Sequence, residues 1–237
     1  MRFLLLDEFC KLFDGKPYKH RDSSQGDVVA SYLFEDLYQL ARSNKYVTAV
    51  KNQSSVSNRR NKQTGKANRR GDGTFGERVL SVTPVVPPGL AVAVGAVATV
   101  EIGAEVKVLA KAMIKQLDRV GTDMENQVKE FKKHGGNPIC VGIVGVNSAT
   151  VYTSYEGKRK YTTTGKGGYS HPVQEANVAE RRLVQRVLPQ FEELIALRFT
   201  VSNTRPFKDF QWVNATQTET EYSAALLRIS KEYEKRF

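Results

Sequence analysis

A chain of 237 residues with 40% hydrophobic side chains can bury a sizeable core, as one large domain or a core with an appendage. Its 36 lysines and arginines against 25 acids leave a formal charge of +11, which points to polyanionic partners but fixes no reaction. The two cysteines, Cys10 and Cys140, lie far apart; this argues against a disulfide framework or zinc site and predicts a soluble protein of a reducing cytoplasm.

The first apolar run, Phe3–Leu6, breaks at Asp7 and is too short for a signal-peptide core or a membrane span. Val28, Val29, Tyr32, Leu33, Leu37, Leu40 and Ala41 recur at helical spacing and predict a helix over 27–44, capped by Ser24 or Asp27. Residues 46–50 read as a short strand. Between Lys51 and Gly71 seven cations, Arg59, Arg60, Lys62, Lys66, Arg69 and Arg70 among them, occur without an acid, which predicts a polar loop that contacts phosphates. A turn-rich segment with one carboxylate, Asp72, then leads to a strand around 78–83. The run 82–100 is apolar enough for a membrane span, but Pro84, Pro87, Pro88, Gly89 and Gly95 favour a turn followed by strand. Residues 90–100 and 105–109 read as a hairpin or as one long bent strand.

A helix is predicted over 111–133 from the stripe Met113, Ile114, Leu117, Val120, Met124, Val128 and Phe131, and the following His-Gly-Gly-Asn-Pro ends it. The Val/Ile/Gly run 139–146 reads as a buried strand, with room to extend to Tyr152. A second basic loop over 155–171 interleaves Lys158, Arg159, Lys160 and Lys166 with tyrosines and glycines and is the second expected contact for nucleic acid. The remainder reads as mainly helical, over 173–200 with an interruption at Pro189 and over 218–237, with a short strand or apolar clip near 207–212.

The densest chemistry lies in Val100–Leu109. Strand alternation puts Glu101, Gly103, Glu105 and Lys107 on one face and Val100, Ile102, Ala104, Val106 and Val108 on the other. Glu105 and Lys107 are then about 6.6 Å apart along the strand, a spacing that suits a cation on the carboxylate and a phosphate beside the ammonium. Other polar residues form a series with them: Glu35 on the first long helix, Arg70-Gly71-Asp72 in a turn, Glu105-Val106-Lys107 on the strand, and Gln127-Val128-Lys129-Glu130-Phe131 on the helix that follows.

In kind and order this series, which spans about residues 27–146, resembles the PD-(D/E)XK nuclease superfamily. The resemblance implies an α/β fold: a restriction-endonuclease-like αβββαβ core with a mixed central sheet flanked by helices over 1–155, and a mainly helical C-terminal extension over 156–237. It also implies a metal-dependent DNA endonuclease, restriction or defence related, working on duplex DNA as a homodimer. Asp72 and Glu105 would hold Mg²⁺, or Mn²⁺ in its place; Lys107 would position the attacking water and stabilise developing charge; Glu35 would hold a metal-bound water or second ion; Gln127 would orient the site. No proline precedes Asp72, and Phe131 stands where the family's helix carries tyrosine; the gap from Asp72 to Glu105 is also long, so Glu77 and Glu101 remain alternatives for the first acid.

Other chemistries fit poorly. His20, His134 and His171 have no metal-ligand spacing, and the glycines around Asp72 match neither a dinucleotide fingerprint nor a phosphate loop. The competing functions are a non-catalytic nucleic-acid-binding protein with this fold and an RNA-associated basic protein with a chance Glu-x-Lys strand.

Overall fold

A computed structural model describes residues 2–20, 24–58, 62–63, 66–67, 71–133, 136–156 and 159–237. A six-stranded mixed sheet organises them, in the order β1 (Ser55–Asn58), β4 (Gly73–Arg78), β5 (Val97–Leu109), β6 (Ile139–Asn147), β9 (Glu193–Thr200) and β10 (Gln211–Trp212). The β5–β6 and β6–β9 pairs are parallel and the other three antiparallel. Two short antiparallel ribbons stand apart from it, β2 (Lys62–Gln63) with β3 (Lys66–Ala67), and β7 (Thr153–Glu156) with β8 (Arg159–Thr162).

β6 is central and buried along its whole length, which is why its sequence is apolar without alternation. Helices α4 (Met113–Lys133) and α5 (Pro172–Val187) cover one sheet face, packing Met124, Val128, Phe131 and Leu183 on Leu109, Cys140 and Val144. The other face carries α1 (Leu4–Lys11), α2 (Ser24–Leu40), α3 (Asn44–Lys51) and α6 (Ala215–Arg236), whose apolar stripes close over Ile102, Ala104, Val106, Ile143 and Leu197. No helix among the described residues is long and apolar enough to cross a membrane.

Four expected elements differ. Residues 46–50 belong to helix α3, because Ser43 caps it by accepting from Tyr46 N (3.1 Å), and Tyr46 and Val50, four apart, are both buried. Strand β6 stops at Asn147, whose buried side-chain amide accepts from Ala149 N and Val201 N and donates to Ala110 O and Val201 O. The C-terminal part is not a helical extension alone. Helix α5 ends at Val187, and after a short 3-10 turn through Pro189 the chain returns as β9, paired along seven residues with β6. The helical reading ran to Thr200 because Glu, Leu, Ala and Arg dominate this strand; its alternating burial marks it instead as sheet. Residues 78–83 are also mostly outside a strand, which here begins at Gly73 and ends at Arg78.

Candidate active site

Strand β5 carries the centre of the site and α4 lies across it. Phe131 rests on Gly103, where an added Cβ would sit 2.5 Å from the ring. Two residues on, Glu105 and Lys107 project from the same side of the strand. The alternation does not reach Glu101. The β4–β5 register shifts there, pairing Phe75 with Ile102 but Gly76 with Val100, so that Glu101 is the extra residue of a bulge. Its carboxylate turns to the opposite layer and accepts from Tyr233 Oη (2.5 Å) and Ser55 Oγ (3.1 Å). Glu101 is therefore not on the face of Glu105. Glu77, the other alternative, is exposed at the end of β4 and accepts from Thr99 Oγ1 (3.1 Å).

Asp72 immediately precedes β4 and is brought to the middle of β5. Its Oδ2 accepts the backbone N–H of Val106, the residue between Glu105 and Lys107, at 2.7 Å. Helix α2 comes just as close from the other side: a Cβ on Gly26 would lie 2.5 Å from Asp72 Oδ1. Only a glycine lets the first turn of α2 meet this carboxylate. Gln127, on α4 and buried, packs beside Gly71, where a Cβ would be 2.8 Å from its Nε2. Gln127 thus adjoins the turn that sets Asp72.

The electrostatics are those of a crowded anion pair with one cation. Lys107 Nζ donates to Glu105 Oε1, while Glu105 Oε2 is buried with no hydrogen-bond partner. Burial and then the neighbouring Asp72 push the Glu105 carboxyl up to about 7, against the pull of Lys107. For Lys107, burial favours the neutral amine, but Glu105 and Asp72 together outweigh it and hold the ammonium above its ordinary range. A cavity of about 270 Å³ opens beside this group, lined by Asp72, Lys107, Gln25, Gln116, Arg119 and Asp123 among others.

Glu35 lies elsewhere. It is nine residues from Gly26 on α2, about 13 Å along a helix axis, and both its oxygens are used: Ala91 N donates to Oε2 (3.0 Å) and Val92 N to Oε1 (2.8 Å). This carboxylate anchors the loop before β5 and does not face Glu105. Of the expected nucleic-acid contacts, Lys160 is exposed, with Nζ 5.4 Å from the Tyr155 ring centre. Arg59, Arg60, Arg69, Arg70 and Lys158 lie outside the described residues, as do the side chains of Lys62, Lys66 and Arg159. Sequence reasoning missed Gly26, Gln25, Gln116, Arg119 and Asp123. For Arg119 and Asp123 a signal existed, since they follow each other at helical spacing on the polar face of a helix next to the Glu-x-Lys strand.

The donors suit a hard cation. Two carboxylates, one with a buried oxygen that accepts nothing, match a Mg²⁺ or Mn²⁺ ion that takes one or two carboxylates and keeps its other positions for water and substrate. Among the described residues no group of three or more His, Cys, Asp or Glu side chains gathers for a metal. No family model, curated protein or solved structure matches the chain.

Proposed function

We propose that the chain is a metal-dependent endonuclease that hydrolyses phosphodiester bonds of duplex DNA, of the restriction or defence kind, with Asp72, Glu105 and Lys107 as its catalytic group. One observation carries the reading: Asp72, thirty-three residues before Glu105 in the chain, is hydrogen-bonded to the backbone between Glu105 and Lys107. Placing two acids and a lysine around one peptide unit of a buried strand incurs a charge-desolvation cost, which proteins tolerate mostly at functional sites. With α3 and the β2–β3 ribbon as insertions, the order α2, β1, β4, β5, α4, β6, with the acids at the start of β4 and in β5, further resembles the αβββαβ core of PD-(D/E)XK nucleases.

Asp72 and Glu105 would hold Mg²⁺, with Mn²⁺ as a substitute. Bound there, the ion supplies a water of lowered pKa and neutralises charge on the phosphate. Lys107, tethered by Glu105 Oε1, presents an ammonium to the phosphoryl oxygens and orients the attacking water along the cavity. Gln127 and Gly26 hold Asp72 in register from α4 and α2. Two copies acting together would cut both strands of a duplex with matching symmetry.

The test separates cutting from binding. Glu105→Ala and Lys107→Ala should each lower cleavage of plasmid DNA by at least a thousandfold while leaving the fold and most DNA binding intact. Wild-type cutting by both variants would remove the assignment. DNA binding by a wild-type protein that never cuts would favour the non-catalytic reading.

A further inference from the structure

The ribbon β7–β8 is docked onto the end of strand β5, next to the cavity, by a buried lysine. Lys111 is 4% exposed; its Nζ donates to Tyr161 Oη (2.5 Å), pairs with Glu156 (3.1 Å) and lies 4.4 Å from the Tyr161 ring centre. Glu156 is the one acid between Thr153 and Gln174, and this contact turns it inward and neutralises it. What remains along this stretch of chain is cationic: Lys158, Arg159, Lys160 and Lys166.

On helix α4 two cations, Lys115 and Arg119, lie between the ribbon and the catalytic group, in a stretch that also carries Asp118 and Asp123. Lys115 Nζ lies 3.0 Å from where a Cβ on Gly168 would stand, so the loop after β8 sits on this lysine. One turn further, Arg119 lines the cavity that holds Asp72 and Lys107. Its guanidinium is steadied by Gln116 Oε1 (3.2 Å), and Gln116 Nε2 in turn donates to Lys111 O (2.9 Å). Lys115 and Arg119 are both exposed, and among the described residues neither pairs with a carboxylate. Four apart on a helix, they stand on one face about 6 Å from each other. Elsewhere on α4 and α5, Arg186 pairs with Glu125 and Lys133 with Glu130, while Lys129, Arg181 and Arg182 are exposed too but do not line the cavity.

We propose that Lys115 and Arg119 form a phosphate track that leads the backbone of one nucleic-acid strand from the β7–β8 ribbon to the cavity, binding phosphates next to the one that is cut. The proposal rests on the nuclease reading, and it adds two residues and a direction: the strand enters along α4, past the ribbon that Lys111 fixes in place. The ligand is a run of consecutive phosphodiesters, since the Lys115 ammonium is a point charge and the Arg119 guanidinium a donor fork, both suited to phosphate oxygens.

A matched pair of double variants tests it. In a Glu105→Gln background, which keeps the DNA uncut, Lys115→Ala/Arg119→Ala is compared with Lys231→Ala/Lys235→Ala. The second pair is also exposed and four apart on a helix, but it lies on α6, across the sheet. Binding of a fluorescent random-sequence duplex is measured from 50 to 300 mM salt in chelator, with a melting curve for each protein. Each phosphate contact contributes about 0.9 to the slope of log K against log salt. The slope should fall by about 2 for the α4 pair and stay unchanged for the α6 pair. Equal slopes for both pairs, with the parent still binding, would overturn the track and leave the nuclease reading in place. No binding by the parent at 50 mM salt would overturn both.

Discussion

The residue that concentrates the chemistry is Glu105, and its burial makes a signed prediction. With the folded-state carboxyl raised from 4.5 to about 7, protonation favours the metal-free fold. This contribution is fully present below pH 4.5 and is lost as pH rises through 7. Melting temperatures of the metal-free wild type should therefore fall between pH 5 and 8 relative to those of Glu105→Gln, and Mg²⁺ should restore the loss at pH 8 in the wild type alone. Parallel profiles would show that Glu105 is not the strained group. Gly26 gives a second prediction at this scale. Alanine suits a helix better than glycine by about 0.5–1 kcal/mol, so Gly26→Ala should not unfold α2. Its Cβ meets the Asp72 carboxylate, however, and should displace it. Cleavage is expected to drop at least a hundredfold with little change in melting temperature; wild-type cleavage would show that the position of Asp72 is not critical. The Glu-x-Lys spacing was legible because strand alternation is a local rule. The approach of Gly26 to Asp72 was not, because no local pattern encodes a contact between two segments 46 residues apart.

At the scale of elements, legibility followed how local the determining contacts are. Helix α4 and strand β6 could be read directly, one from its 3.6-residue stripe and the other from an unbroken β-branched run. In helix α3 tyrosine and valine favour strand by propensity, while the deciding features are the Ser43 cap and packing four residues apart. The bulge at Glu101 left no mark that the sequence reading could use, and it changes which carboxylate faces α4. Glu35 illustrates the same limit. Its place on α2 suggested a metal site, whereas its oxygens hold two amides of the loop leading to β5. Replacing it with alanine leaves two backbone donors unsatisfied, so Glu35→Ala should cost about 2–4 kcal/mol of stability and leave the cleavage rate per folded molecule near that of the wild type. Denaturant melts paired with cleavage assays check this. Lost cleavage at unchanged stability would return Glu35 to the active site.

For the whole molecule, the sheet joins parts of the chain that composition kept separate. β9 comes from beyond residue 190 yet extends the sheet that carries Glu105, while α6 covers the face opposite α4. Two exposed cations, Lys115 and Arg119, stand on α4 on the side of the cavity. A net charge of +11 predicts a polyanionic partner without predicting a reaction, whereas the proposed reaction would depend on three side chains around one peptide unit.

The proposed cleavage needs that group and a divalent cation shared by Asp72 and Glu105. Its most direct test is the conversion of supercoiled plasmid by purified protein with Mg²⁺, with Mn²⁺ and with chelator, alongside Asp72→Asn. Nicked and then linear DNA should accumulate with either metal, and neither should form in chelator or with the variant. Plasmid left intact in both metals, or cut equally well in chelator or by Asp72→Asn, would contradict it.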